Sequence, residues 1–243
     1  MKIKIERQAR RRFLEKLGFS GLAALSTILT GQCRPAFPPP QPTAVQVPEI
    51  VISLPPPDRG GGQSLAHTLQ KRRSVRDFTG EDVAEAVVSQ LLWAAQGITD
   101  PSGKRTAPSA GALYPLEIHL ARKNGLYHYR VKDHGLVLRI EKDVRVDLYE
   151  AALRQTAVRD APLVFIISAV FSRTESRYGA ERTPRYVYME VGHAAQNLLL
   201  QAVALDLGGV PIAAFEDERI KKLLELPQTM IPLYLIPVGR QRL

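Results

Sequence analysis

The chain has 243 residues and is 45% hydrophobic, enough to bury a real core, so a folded protein is expected and a disordered one excluded. Its formal charge of +9 is lopsided: residues 1–16 carry seven Lys and Arg against Glu6 and Glu15, which leaves a mildly basic body and excludes a nucleic-acid-binding surface. A single cysteine, Cys33, excludes an intramolecular disulfide framework and a multi-cysteine metal site.

The chain opens on an address. Arg10-Arg11-Arg12-Phe13-Leu14-Glu15-Lys16 resembles the twin-arginine export signal, and the apolar run Leu17 to Leu29 that follows suits a signal-peptide core. That run falls short of the roughly 18 residues of a membrane span. Cys33 stands where bacterial lipoproteins carry an acylated cysteine, but Leu29-Thr30-Gly31-Gln32 departs from the usual box, so acylation and a plain thiol both stay open. Residues 1–33 therefore read as a signal for the twin-arginine machinery, and the protein as periplasmic or on the outer face of the cytoplasmic membrane. Membrane contact is expected only through the signal or a lipid at Cys33. From Arg34 to Gln63 lie nine of the eighteen prolines, followed by Gly60-Gly61-Gly62, which reads as an extended spacer because proline lacks a donor and fixes φ.

Residues 64–243 form one domain of α+β pattern. Helical periodicity runs over Ser64–Arg72, Glu81–Gln96, Val144–Gln155 and Arg185–Asp206. Strand-like runs are Leu116–Arg122, Leu126–Val131, Leu136–Ile140, Leu163–Ala169 and Pro232–Val238, with Asn124-Gly125 as a two-residue hairpin turn. The hairpins point to an antiparallel or mixed sheet flanked by helices. The long helix from Arg185, apolar on much of its surface, belongs at the centre of a domain or in a subunit interface.

Three segments could carry chemistry. Lys71-Arg72-Arg73-Ser74-Val75-Arg76 gathers four cations and a hydroxyl, a set that binds a phosphomonoester or simply solvates a basic helix end. Pro108-Ser109-Ala110-Gly111-Ala112-Leu113-Tyr114-Pro115 has the small residues that let backbone approach a flat ligand, or it is a plain turn. Glu190-Val191-Gly192-His193 would be half of a di-iron helix pair, but the second half is missing, so a buried, hydrogen-bonded His193 is the expectation and no metal.

Arg72-Arg73-Ser74-Val75-Arg76-Asp77-Phe78, the Pro108–Pro115 segment, and Gln196-Asn197-Leu198 through Pro211-Ile212-Ala213-Ala214-Phe215 resemble, in order and spacing, the nitroreductase superfamily of flavoenzymes. The Ala-Gly-Ala-Leu-Tyr-Pro-x-Glu wording and Glu-x-Gly-His ahead of Gln-Asn look like its SagB-type, thiazole- and oxazole-forming branch. The resemblance spans Ser64 to Gln241 and implies a nitroreductase-like fold and a homodimer with FMN at two shared sites. It implies that Arg72, Arg73, Ser74 and Arg76 grip the phosphate and ribityl end, completed by Arg240 and, as an open possibility, Arg242. Ser109, Ala110, Gly111, Ala112 and Leu113 are implied to come from the partner chain, and the Ala213 and Ala214 backbone to face the ring edge. Where azoline-oxidising relatives carry a Lys-Tyr pair, this chain has Arg177-Tyr178. Arginine is a poor base, whereas Tyr178 can donate a proton; an ordinary surface tyrosine is the alternative.

Three readings follow. The first is a flavin oxidoreductase on a small organic or peptide-derived substrate. The second is an NAD(P)H-dependent nitro- or quinone reductase, which export disfavours. The third is a non-catalytic flavin-binding module.

Overall fold

The computed structural model describes residues 49–60 and 62–242; the export motif, Cys33 and the proline-rich stretch up to residue 48 lie outside the described residues. Seven strands form one antiparallel sheet: β1 (Val51–Ser53), β2 (Leu116–Arg122), β3 (Gly125–Arg130), β4 (Gly135–Ile140), β5 (Leu163–Val170), β6 (Gly208–Gly209) and β7 (Met230–Gly239). Their order across the sheet is β1-β4-β3-β2-β5-β7-β6. Strand β5 is central and buried on both sides, which is why Leu163-Val164-Phe165-Ile166-Ile167 is apolar without alternation. In β2 the alternation is clean: Leu116, Ile118 and Leu120 enter one core while Glu117, His119 and Ala121 face the other side.

Among the described residues seven α-helices cover the two faces: α1 (Leu65–Lys71), α2 (Glu85–Gln96), α3 (Arg145–Ala151), α4 (Thr156–Asp160), α5 (Phe171–Tyr178), α6 (Thr183–Ala204) and α7 (Asp217–Leu223). Leu91, Leu92 and Ala95 of α2 pack with Val191, Ala194, Ala195 and Leu198 of α6 over one face. Cutting such a buried leucine to alanine costs about 2–5 kcal/mol. Helices α3, α4 and α7 close the other face through Leu148, Val158 and Ile220. The fold is the expected α+β arrangement, an antiparallel sheet flanked by helices. Of the apolar α6 surface, one stripe is buried, while Tyr188 and Met189 stay exposed.

Several expectations need correction. The spacer does not run to Gln63: Val51–Ser53 pairs with β4, and Leu54 is buried. The Gln90 side chain then clasps Asp58, accepting its N–H at 2.8 Å and donating to its C=O at 2.9 Å. A strand three residues long between prolines leaves no periodic trace. Helix α2 starts at Glu85, not Glu81. The helix expected over Val144–Gln155 stops at Ala151, because Leu153 and Arg154 take left-handed φ of 54° and 59°, and α4 begins afresh at Thr156. The β2–β3 turn residues are Lys123-Asn124; Gly125 already pairs with Arg122, at φ 149°. Helices α5 and α7 and the strands β1 and β6 lay outside the expected elements; α5 (Phe-Ser-Arg-Thr-Glu-Ser-Arg-Tyr) is too polar and short to show a core-facing period.

Candidate functional site

The first cluster lies at the β7–β6 border of the sheet. Helix α1 ends at Lys71, and Arg73 folds back so that Nη1 donates to the carbonyls of Gln70 and Arg72, each at 2.8 Å. Arg73 thus satisfies helix-end acceptors, a duty the sequence did not suggest. The chain next runs as a short parallel addition to the sheet: Ser74 bridges Gly209, and the Val75 N–H donates to the Gly209 carbonyl at 3.1 Å. Glycine is needed there, since a Cβ on Gly208 would stand 2.5 Å from Val75 Cγ2. Buried Phe78 then bridges Gln241, the Thr79 N–H donates to the Arg240 carbonyl, and the Arg242 N–H to the Asp77 carbonyl. Three separate stretches of sequence, 72–79, 208–209 and 239–242, are therefore laid side by side by main-chain pairing.

The cations of this border differ in their engagement. Arg240 stands 3.5 Å from Glu81 and Arg242 3.6 Å from Asp77, exposed pairs of small worth. Arg72 and Arg76 join no ion pair among the described residues. A cavity of about 340 Å³ at this border is lined by His67, Lys71, Arg73, Val75 and Gly208 among others, and not by Arg72, Ser74, Arg76 or Arg240. Further along, Ile212 exchanges both backbone hydrogen bonds with Leu235, and the chain leaves the sheet so that Ala213 and Ala214 are exposed. Gln155 Nε2 donates to the Ala214 carbonyl.

The second cluster is the Pro108–Pro115 loop. Ala110–Ala112 make one 3₁₀ turn, and three residues take left-handed backbone: Gly111 at 63°, Ala112 at 54° and Tyr114 at 46°. Two non-glycine residues in that region store strain that surrounding contacts must hold. Glu190 of α6 supplies the main one: its Oε1 accepts the Ala110 N–H at 2.9 Å while the side chain is almost wholly buried. Burial pushes the Glu190 carboxyl above its ordinary range, against the pull of the Ala110 N–H and the Ser109 hydroxyl. The Ser109 Oγ also accepts the Tyr114 N–H. On the outer side Arg105 lies over the Tyr114 ring at 4.3 Å, and Arg173 of α5 donates to the Tyr114 carbonyl at 3.0 Å.

Beneath the loop, Glu117 faces His128 at 2.7 Å and is also bridged by Arg173. Burial works against the Glu117 charge, yet these hydrogen bonds hold its carboxyl below the ordinary range. His119 stacks on His128 with 4.9 Å between ring centroids, and burial beside His128 drops it to about 3, so it is neutral. Neither these groups nor any other among the described residues form a metal centre. His193 is exposed, whereas Glu190 is the buried member of that motif, the reverse of expectation: it is Glu190 that faces inward on α6.

Tyr178 falls at the end of α5, next to the loop. A Cβ built on Gly111 would meet Arg177 Nη1 at 3.0 Å and the Tyr178 hydroxyl at 3.1 Å. The structure thus joins Tyr178 to Ser109–Leu113, and Arg72–Arg76 to Arg240, but it sets these two groups apart. The border cluster sits at the Leu163↔Val238 end of the β5–β7 ladder and the loop at the Val170↔Met230 end, seven residues or about 23 Å away.

Comparison with known proteins bears on the family and the fold. The Nitroreductase family matches residues 69–240. A candidate nitroreductase of Methanocaldococcus jannaschii is 43% identical over 183 residues, covering 73% of this chain and 91% of its own. A crystal structure of a candidate nitroreductase from Ralstonia eutropha superposes with a TM-score of 0.73 at 27% identity, over 79% of this chain and 90% of that one. The trifolitoxin operon protein TfxC of Rhizobium leguminosarum is 24% identical over 192 residues, 70% of this chain and 54% of its own. With its antiparallel sheet, central α6 and the match across 69–240, the chain belongs to the nitroreductase family of oxidoreductases.

Proposed function

We propose that the protein is an exported FMN-dependent oxidoreductase of the SagB-type branch, acting as a homodimer on a small organic or peptide-derived substrate. The observation that carries this reading is the main-chain pairing that brings the segment carrying Arg72, Ser74 and Arg76 alongside Gly209 and the segment carrying Arg240. The donor set suits a phosphate dianion: two guanidinium groups free of carboxylate partners, a serine hydroxyl and a third arginine whose own pair is exposed. Bound FMN supplies hydride chemistry; the chain's residues bind and orient it. Arg72, Ser74, Arg76 and Arg240 would hold its phosphate, with Arg73 partly spent on the α1 end. The exposed backbone at Ala213 and Ala214 would border its ring.

The distance between border and loop supports a shared site, in which Ser109–Leu113 serve the partner's cofactor. Exposed Leu65 and Leu69 on α1 and Tyr188 and Met189 on α6 offer apolar surface for that dimer. TfxC supports the branch, and Arg10–Lys16 supports export by the twin-arginine route, with Cys33 as a lipid anchor or a plain thiol. Arg177 in place of lysine argues against proton removal from an azoline, leaving Tyr178 as a proton donor. Purified mature protein is expected to show flavin absorbance and to retain FMN through gel filtration at the mass of a dimer. A colourless protein indifferent to added FMN overturns the cofactor, and a monomer overturns the shared site.

A further inference from the structure

We infer that Arg177 and Tyr178 form a receptor for a planar carboxylate at the tip of the Ser109–Leu113 loop, so that the substrate of the oxidoreductase proposed above, on which this inference rests, is a flat, acid-bearing molecule. The two side chains come from successive residues at the end of α5, yet their polar ends converge. Arg177 Nη1 and the Tyr178 hydroxyl lie 3.0 and 3.1 Å from the point where a Cβ on Gly111 would stand. A Cβ there would already crowd both groups, so glycine, at φ 63°, is what lets the two polar ends close on the loop.

Tyr178 is held in place, and neither group is engaged by an ion pair or a side-chain hydrogen bond among the described residues. The Tyr178 ring packs against Tyr186 of α6 at 4.6 Å between centroids, tilted by 48°, which fixes where its hydroxyl points. The helix is ended cleanly behind it by Gly179, whose N–H donates to the Glu175 carbonyl. Among the described residues Arg177 makes no ion pair and Tyr178 no side-chain hydrogen bond; the contact recorded for Arg177 is the Tyr178 ring, 5.8 Å from its guanidinium carbon. The acids that could have neutralised them are occupied elsewhere or stand aside. Glu117 is taken by Arg173 and His128, and Glu190 by the Ala110 N–H. Glu175 and Glu181, on the neighbouring turns, pair with neither. Arg105 on the other flank of the loop adds to the positive field, while Arg173 is already paired with Glu117.

A guanidinium offers two parallel N–H groups matched to the two oxygens of a carboxylate, and the phenol adds a third donor. The tilted rings of Tyr178 and Tyr186 provide a face for a flat body next to that head group. Because arginine stays protonated, the pair recognises charge and does not remove a proton.

The test is calorimetric titration of the full-length protein with naphthalene-2-carboxylate and with naphthalene-2-carboxamide, of the same shape without the charge. The acid is expected to bind at least about tenfold more tightly than the amide. Arg177→Gln should bring the two within about twofold, Arg177→Lys should recover only part of the preference, and Tyr178→Phe should weaken the acid by about threefold to tenfold while leaving the amide unchanged. Equal affinities in the parent protein, or a preference that survives Arg177→Gln, overturns the inference. So does tighter binding of naphthyl phosphate that Arg177→Gln abolishes, which would mark a site for tetrahedral dianions at Arg177 itself. Flavin content, read separately by absorbance, keeps the two proposals apart. Flavin-free protein that still selects the acid through Arg177 sinks only the FMN reading, whereas flavin-loaded protein indifferent to the charge sinks only the carboxylate receptor.

Discussion

The cationic border and the Pro108–Pro115 loop are built by opposite means. At the border, backbone pairs with backbone: Ser74 with Gly209, Phe78 with Gln241, Thr79 with Arg240. The side chains of Arg72 and Arg76 take no part in holding that arrangement and can be spent on a ligand. In the loop the backbone is left-handed at Gly111, Ala112 and Tyr114, and side chains do the holding, Glu190 from inside and Arg105 and Arg173 from outside. Substitution at the border should therefore cost binding and little stability, while substitution around the loop should cost stability first.

The largest test of that contrast is the pair Arg72→Ala and Arg76→Ala. Together they should weaken FMN binding by about 3–5 kcal/mol, on the scale of charge-assisted hydrogen bonds, and shift unfolding by no more than about 0.5 kcal/mol. Titration of flavin fluorescence and urea unfolding read the two quantities; a large stability loss would erase the contrast. Next comes Glu190→Ala, which strips the acceptor from the buried Ala110 N–H and should destabilise the protein by about 2–3 kcal/mol in urea. Glu190→Gln, which keeps an acceptor oxygen, should lose about 1 kcal/mol or less, and equal losses for both would deny the loop its carboxylate prop.

The smallest effect concerns the polar floor under the loop. His119 sits at about 3 when folded and near its ordinary value when unfolded, so the unfolded chain binds the extra proton as acid is added. Stability should hold above the unfolded value, near 6.5, and fall as pH drops toward 3, by about 2 kcal/mol already at about pH 5. Urea midpoints compared at about pH 7.5 and about pH 5 should show this loss in the parent and a smaller one in His119→Leu. Identical pH responses would show that His119 is not the group being protonated.

The sequence exposed these two regions unequally. Arg72-Arg73-Ser74-Val75-Arg76 is legible because unusual charge density shows in one dimension, Arg240 only through the family resemblance, and the long strands because β2 alternates and β5 is continuously apolar. What was hidden is what only tertiary contact creates. Arg73 looked like its neighbours until the α1 carbonyls claimed it. His193 is expected to be buried and Glu190 carries no expected duty, yet of these two, three residues apart on α6, it is Glu190 that turns inward and meets Ala110. The break at Leu153-Arg154 left no glycine or proline to announce it, and β1 was hidden among prolines whose neighbours pair on an edge, where a missing N–H does no harm.

Strand β1 has a practical corollary. It closes one margin of the sheet while β6 closes the other, six strand spacings or about 29 Å away. An affinity handle or fluorescent reporter joined directly at Glu49 is thereby attached at the margin remote from Gly209. A fusion after Arg242 would instead emerge beside the segment carrying Arg72 and Arg76, so the amino-terminal side is the one to engineer.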